Sequence, residues 1–177
     1  MNCFPGTAIK RETGDLKNII SSLFVTKGLM LSQVSELLGI ETHNIQNWVK
    51  RGFVKPPVMK KYTSRQFCRL VIINCFKDIL DISDIVAFIS YINGNLADES
   101  DDLMADDELY ICFSKTLEKF YEKPFSNEAL VAECKNSAKE YPKCQKELEK
   151  VLYIMISAYF SDLMRKNAKE KIKNINL

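Results

Sequence analysis

Between residues 32 and 52 two short helical periods stand almost back to back, each closed by a glycine. In the first, Ser32 offers an N-cap, and Val34, Leu37 and Leu38 fall on one side before Gly39. The second begins after Ile40 and Glu41. Thr42 offers its cap, and Ile45, Trp48 and Val49 share a face before Gly52. Two short helices joined by a glycine-containing turn, the second opening on polar residues, form the pattern of a helix-turn-helix.

The flanking segments sharpen that expectation. Residues 53–62 are basic and stiffened by Pro56-Pro57, so they predict a non-helical connection. Thr63-Ser64-Arg65-Gln66 then reads as a capping box opening a helix that buries Phe67, Leu70, Val71 and Cys75. Ser83 is placed to cap the next helix, with Ile85, Phe88, Ile89 and Ile92 inward and Asn93-Gly94 at its end. Upstream, Leu16, Ile19, Ile20, Leu23 and Phe24 predict an amphipathic helix over 15–26. Downstream, Tyr110, Phe113, Leu117, Phe120 and Tyr121 mark a helix ending before Pro124, and Ser126 caps another that reaches about Tyr141. The longest stripe runs Leu148, Val151, Leu152, Met155, Ile156, Tyr159, Phe160 and Leu163. The expected fold class is all-α with at most a small two-stranded wing. Three segments are expected: 1–28 as an N-terminal helix packing on the rest, 29–94 as a winged helix-turn-helix, and 95–177 as a C-terminal helical region.

Charge is segregated along the chain. Residues 30–70 hold seven lysines and arginines against two acids, and residues 71–134 hold four lysines against fourteen acids. Residues 135–177 return to ten bases against five acids. Such a division suggests one part that meets a polyanion and another that does not. The acidic run NLADESDDLMADDE at 95–108 fits no calcium loop and reads as a solvated connector. The six cysteines are scattered without a C-x-x-C pair, and His43 is the one histidine, so free thiols and no metal or other cofactor are expected. No apolar run approaches the ~20 residues of a membrane helix, and the N-terminus lacks a signal-peptide pattern, so a cytoplasmic protein is expected. With no phosphate loop, nucleophile motif or H-E-x-x-H, the pattern predicts no enzyme.

The strings LSQVSELLGI, ETHNIQNWVKRGFVKPP, KKYTSRQF and DILDISDIVAFI resemble the DNA-binding domain of the MerR family over residues 31–92. The segment between Pro57 and Tyr62 is shorter than that family's wing and lacks its Gly-Tyr-Arg tip. IQNWVKRG and YINGNLADESDDLMADDELY are further similar to a bacterial family catalogued as domain of unknown function eighteen thirty-six, whose members are described as transcriptional regulators. These resemblances imply a transcriptional regulator binding double-stranded DNA as a homodimer.

A recognition helix needs short polar side chains facing base edges. His43, Asn44, Gln46 and Asn47 meet that need, with His43, Gln46 and Asn47 opposite Ile45, Trp48 and Val49. Trp48 is expected as a core anchor. Thr42, Lys50, Arg51, Lys55, Lys60, Lys61, Tyr62 and Arg65 are the candidates for phosphate contact. Thr42 also reads as a plain cap, Arg51 as a partner of Glu36 or a cap for the carbonyls before Gly52, and Tyr62 as packing between wing and third helix. The C-terminal stripe reads as core, as a dimer seam, or as an effector pocket lined by the aromatics of 110–121 and 153–160. A different class of reading makes the chain a protein-interaction module that works through the acidic stretch and the C-terminal helices without DNA.

Overall fold

The computed structural model describes residues 2–94, 96, 98 and 100–175. Helices dominate. They are α1 (Leu16–Leu23), α2 (Leu31–Leu38), α3 (Thr42–Lys50), α4 (Ser64–Phe76), α5 (Ile82–Asn93), α6 (Asp106–Tyr121), α7 (Asn127–Ala138) and α8 (Gln145–Ile175). Among the described residues the single sheet has two strands, β1 (Leu29–Met30) and β2 (Lys61–Tyr62), paired antiparallel with Leu29 opposite Tyr62. This ladder differs from the expected wing. It joins the residues before α2 to those before α4, while the wing itself is a tight turn carrying one bridge, Val58 to Lys61.

The capping box of α4 forms as its sequence predicts. Thr63 Oγ1 accepts from the Gln66 amide at 3.3 Å, and Gln66 Oε1 accepts from the Thr63 amide at 2.9 Å. Ser126 likewise caps α7 by accepting from the Ala129 amide. Three other predicted caps lie inside their helices. α2 starts after Met30, whose amide donates to Gln33 Oε1 at 2.8 Å, so Ser32 sits in the first turn. α3 starts after Glu41 and α5 after Asp81, displacing Thr42 and Ser83. Gly39, at φ +67°, takes the left-handed conformation that ends α2.

α4 is the centre of the molecule. Residues 66–73 are buried without a break, the signature of a helix covered on every side. α5 and α6 pack against it, with Phe76 meeting Phe88 at 6.0 Å and Phe113 at 5.6 Å between ring centroids. α7 and the first half of α8 close the far side, and the aromatic chain continues through Phe113–Tyr159 and Phe120–Phe160. Of the aromatics expected around an effector pocket, Tyr110, Phe113 and Phe120 are buried in the core, while Tyr153 and Phe160 line a surface pocket of about 270 Å³ together with Phe125 and Met164. Leu148, Val151, Leu152, Met155 and Ile156 are buried, as a core stripe requires. From Met164 to the last described turn, every residue of α8 is exposed. The six cysteines are free thiols, and burial pushes Cys112 up to about 11 and Cys134 up to about 12. No helix among the described residues is long and apolar enough to cross a membrane.

The segment before α1 is structured without α-helix, and it ends in a single 3-10 turn at Arg11–Thr13. A bridge joins Cys3 to Lys10, Phe4 is buried, and the Tyr110 hydroxyl donates to the Pro5 carbonyl at 2.8 Å. Asn74 Nδ2 donates to the Gly6 and Leu38 carbonyls, tying this segment and the end of α2 to α4. Gly6 has φ +73°, and a Cβ there would lie 2.5 Å from the Val71 carbonyl oxygen. Gly6→Ala is therefore expected to destabilise the fold by about 1–3 kcal/mol, read as a lower urea midpoint.

Candidate nucleic-acid interface

α3 is a nine-residue helix with two unlike sides. Ile45 and Trp48 are buried, Val49 is half-buried, and the Lys77 ammonium lies 6.0 Å from the Trp48 ring centroid. The other side carries His43, Gln46, Asn47 and Lys50, all exposed. Their spacing of three, one and three residues aligns them along one ridge. Asn44 and Thr42 flank this ridge, half-buried. The apolar side thus holds the rod against α2, and among the described residues the amide-bearing side is left exposed.

Lys50 and Arg51 stand at the C-terminal end of the ridge. Arg51 follows Lys50 and lays its guanidinium 4.6 Å from the Phe53 ring centroid, so its fixed partner is an aromatic face rather than Glu36. The chain then reaches the short hairpin, where Met59 and Lys60 have φ +50° and +63° and Lys61 N–H donates back to the Val58 carbonyl. Two consecutive left-handed residues make the tight turn whose twist suits a hairpin. Met59 projects at 90% exposure, with exposed Lys60 beside it. Lys61 is exposed and its ammonium donates to the Thr26 carbonyl at 3.3 Å.

The remaining candidates stand elsewhere. Tyr62 is the inward residue of β2, only 3% exposed, and burial raises its phenol. This is the packing role. Arg65 donates to Asp102 Oδ2 at 2.5 Å, so a phosphate contact would require it to leave that carboxylate. Lys55 is half-buried, and its carbonyl accepts from Gln66 Nε2.

That pairing corrects the reading of the acidic run as a solvated connector. Asp102 holds Arg65, Asp107 accepts from Ser64 Oγ at 2.8 Å, and Asp106 pairs with Arg69 at 3.2 Å. Part of the basic block is thereby neutralised inside the fold. Arg69 is 2% exposed, and its Nε also donates to the Phe53 carbonyl at 2.8 Å. Burial pushes the Asp106 carboxyl up to about 6, against the opposing pull of Arg69 and Arg65. One arginine thus joins α4, the root of the hairpin and the start of α6. Its position among buried apolar residues of α4 was the available sign, because an arginine there must find a partner.

Residues 18–113, more than half of the chain, match the family model described as Domain of unknown function (DUF1836). The chain belongs to that family. The DUF1836 match runs from α1 into α6, so it takes in α3, the hairpin and both arginine–aspartate pairs, while α7 and α8 lie outside it. Over 79 residues the chain is 33% identical to the uncharacterized protein YkrK of Bacillus subtilis (strain 168), covering 42% of this chain and 34% of YkrK. The chain therefore spans about a third of the length of the curated relative it matches. No solved structure matches it.

Proposed function

We propose that this chain is a cytoplasmic transcriptional regulator that binds double-stranded DNA, with α2 and α3 as a MerR-like helix-turn-helix and the 58–61 turn as a shortened wing. One observation carries the reading: the ridge His43–Gln46–Asn47–Lys50 is exposed along its whole length while Ile45 and Trp48 anchor the opposite side. A helix of ~10–12 Å diameter fits the ~12 Å major groove, and amides there pair bidentately with adenine. Lys50 and Arg51 at the end of α3, with exposed Lys60 and Lys61 in the hairpin, supply phosphate contacts, which position the helix without choosing sequence.

Two such ridges reading a two-fold operator require a dimer. The exposed end of α8 supports one, because Met164, Ala168, Ile172 and Ile175 repeat at four, four and three residues along one side. That is the spacing of a paired-helix seam, and an isolated helical end of this length gains little stability alone. The interaction-module reading keeps a narrower basis. Asp102, Asp106 and Asp107 of its acidic stretch are engaged with α4, leaving exposed Asp98, Asp101 and Glu108 together with Val131, Tyr153 and Ile154 as its surface.

Titration of the protein against duplex DNA over a range of salt concentrations tests the proposal. These four cations predict a log–log slope near −4 per protomer, about −0.9 for each phosphate neutralised. Lys50→Gln and Lys60→Gln are each expected to flatten it by about 0.9. A slope untouched by both substitutions would place DNA elsewhere on the molecule, and an absence of binding would favour the interaction module.

A further inference from the structure

The hairpin tip breaks the rule for its own turn. Two-residue turns of this kind favour asparagine and glycine, because both central residues take positive φ. The positions hold instead Met59 at φ +50° and Lys60 at φ +63°, two of the three non-glycine residues with positive φ among the described ones. Met59 is 90% exposed and Val58 beside it 69%, so the strained turn places apolar side chains in water rather than in the core. The root below them is fixed. Val54 is buried, Arg69 Nε donates to the Phe53 carbonyl, and Gln66 Nε2 donates to the Lys55 and Pro56 carbonyls, each at 3.0 Å. A rigid stem thus holds up a projecting apolar point.

The segments that meet at this point carry one sign of charge. Residues 24–31 and 53–63 contain Lys27, Lys55, Lys60 and Lys61 and no acid. The two segments are joined, since Met30 pairs with Lys61 in the ladder and the Lys61 ammonium donates to the Thr26 carbonyl. An apolar point set among lysines fits a polyanion that offers an apolar slot. The minor groove of duplex DNA is such a slot, ~6 Å wide and ~7.5 Å deep, walled by sugars and rimmed by phosphates. It admits a single side chain, whereas the ~12 Å major groove takes a whole helix. Methionine is among the apolar side chains that enter the minor groove as wedges between base steps. On the DNA-binding reading proposed above, we infer that Met59 inserts into the minor groove, with Lys60 on the adjoining phosphates and α3 in the neighbouring major groove. The chain from Lys50 to Met59 spans at most ~30 Å. Half a turn of duplex is ~17 Å, so both elements can engage one face of it.

The test measures binding of the full chain to two duplex polymers, poly(dI-dC) and poly(dG-dC). They present the same major-groove pattern and differ by the guanine amino group, which stands in the minor groove. The parent is expected to bind poly(dI-dC) about tenfold more tightly, the worth of burying one methionine side chain. Met59→Gly is expected to abolish that preference and to leave the salt slope unchanged, because no charge is removed. Glycine suits the positive φ, so the urea midpoint of the variant should match or exceed the parent's, which separates the effect from damage to the fold. Equal affinity of the parent for the two polymers, or a preference that survives Met59→Gly, would overturn the inference and leave the role of α3 standing. Absence of binding to either polymer would remove both. Binding to phosphatidylserine vesicles that Met59→Gly abolishes, with the two polymers not distinguished, would overturn it in favour of a lipid surface.

Discussion

Arg69→Leu is expected to destabilise the folded chain by about 3–5 kcal/mol at pH 7, the cost of leaving one member of a buried ion pair without its partner. Urea denaturation will show it as a lower midpoint at unchanged slope. Asp106 then lacks its counter-charge, and the Phe53 carbonyl loses the Nε donor at 2.8 Å. Asp106→Asn is expected to cost less, because the amide oxygen still accepts from Nη1 while the guanidinium remains charged. Combining Arg69→Leu with Asp106→Leu is expected to recover much of the loss, since an apolar pair in a buried site can match an ion pair it replaces. Exposed pairs such as Lys10–Glu12 bring little by comparison.

The same pair sets a pH dependence. Asp106 has its carboxyl raised from 3.8 to about 6 in the fold. Between those values the folded chain keeps a proton that the unfolded chain has released, so this group's contribution to stability falls as pH rises from about 4 to 6 and levels off above. Asp106→Asn is expected to remove that part of the slope, which urea midpoints measured across the window will show.

Much of the architecture was legible where a local device decides it. Thr63 with Gln66, and Ser126 with its amide partner, announce helix starts because the cap is complete within four residues. Gly39 and Gly52 announce stops, since the left-handed turn after a helix favours glycine. Ser32, Thr42 and Ser83 misled for the converse reason. α2, α3 and α5 start on Met30, Glu41 and Asp81 with no side-chain cap hydrogen bond, so a good capping residue just inside carried no information.

Nothing local reveals the rest. The segment at 2–13 has no helical period, and buried Phe4 is followed by Pro5 and Gly6, whose carbonyls accept from α6 and α4, residues far apart in sequence. The acidity of 98–108 was plain, yet its engagement with Arg65 and Arg69 depends on α6 lying against α4. The same holds for Asn93, which reads as a helix terminus and turns out to be buried. For α3 the period alone separates the anchored side from the ridge, which is why Trp48 and Gln46 could be assigned to opposite sides in advance.

The second large effect concerns that ridge. Gln46→Ala together with Asn47→Ala is expected to weaken binding to the preferred duplex by about 2–6 kcal/mol, from about 30-fold upward in Kd. Affinity for unrelated duplex should scarcely change, because Lys50, Arg51, Lys60 and Lys61 remain. Both side chains are exposed, so stability should stay within about 0.5 kcal/mol of the parent. Loss of discrimination without loss of fold therefore separates base reading from structural damage.

The most direct measurement is a binding selection over genomic fragments with the purified chain, run at low and high salt beside the Gln46→Ala, Asn47→Ala double variant. A small set of fragments sharing a two-fold sequence should survive high salt with the parent and be lost with the variant. Retention of all fragments to an equal and weak degree, or the same survivors from both proteins, would contradict the assignment of α3 as the element that reads DNA.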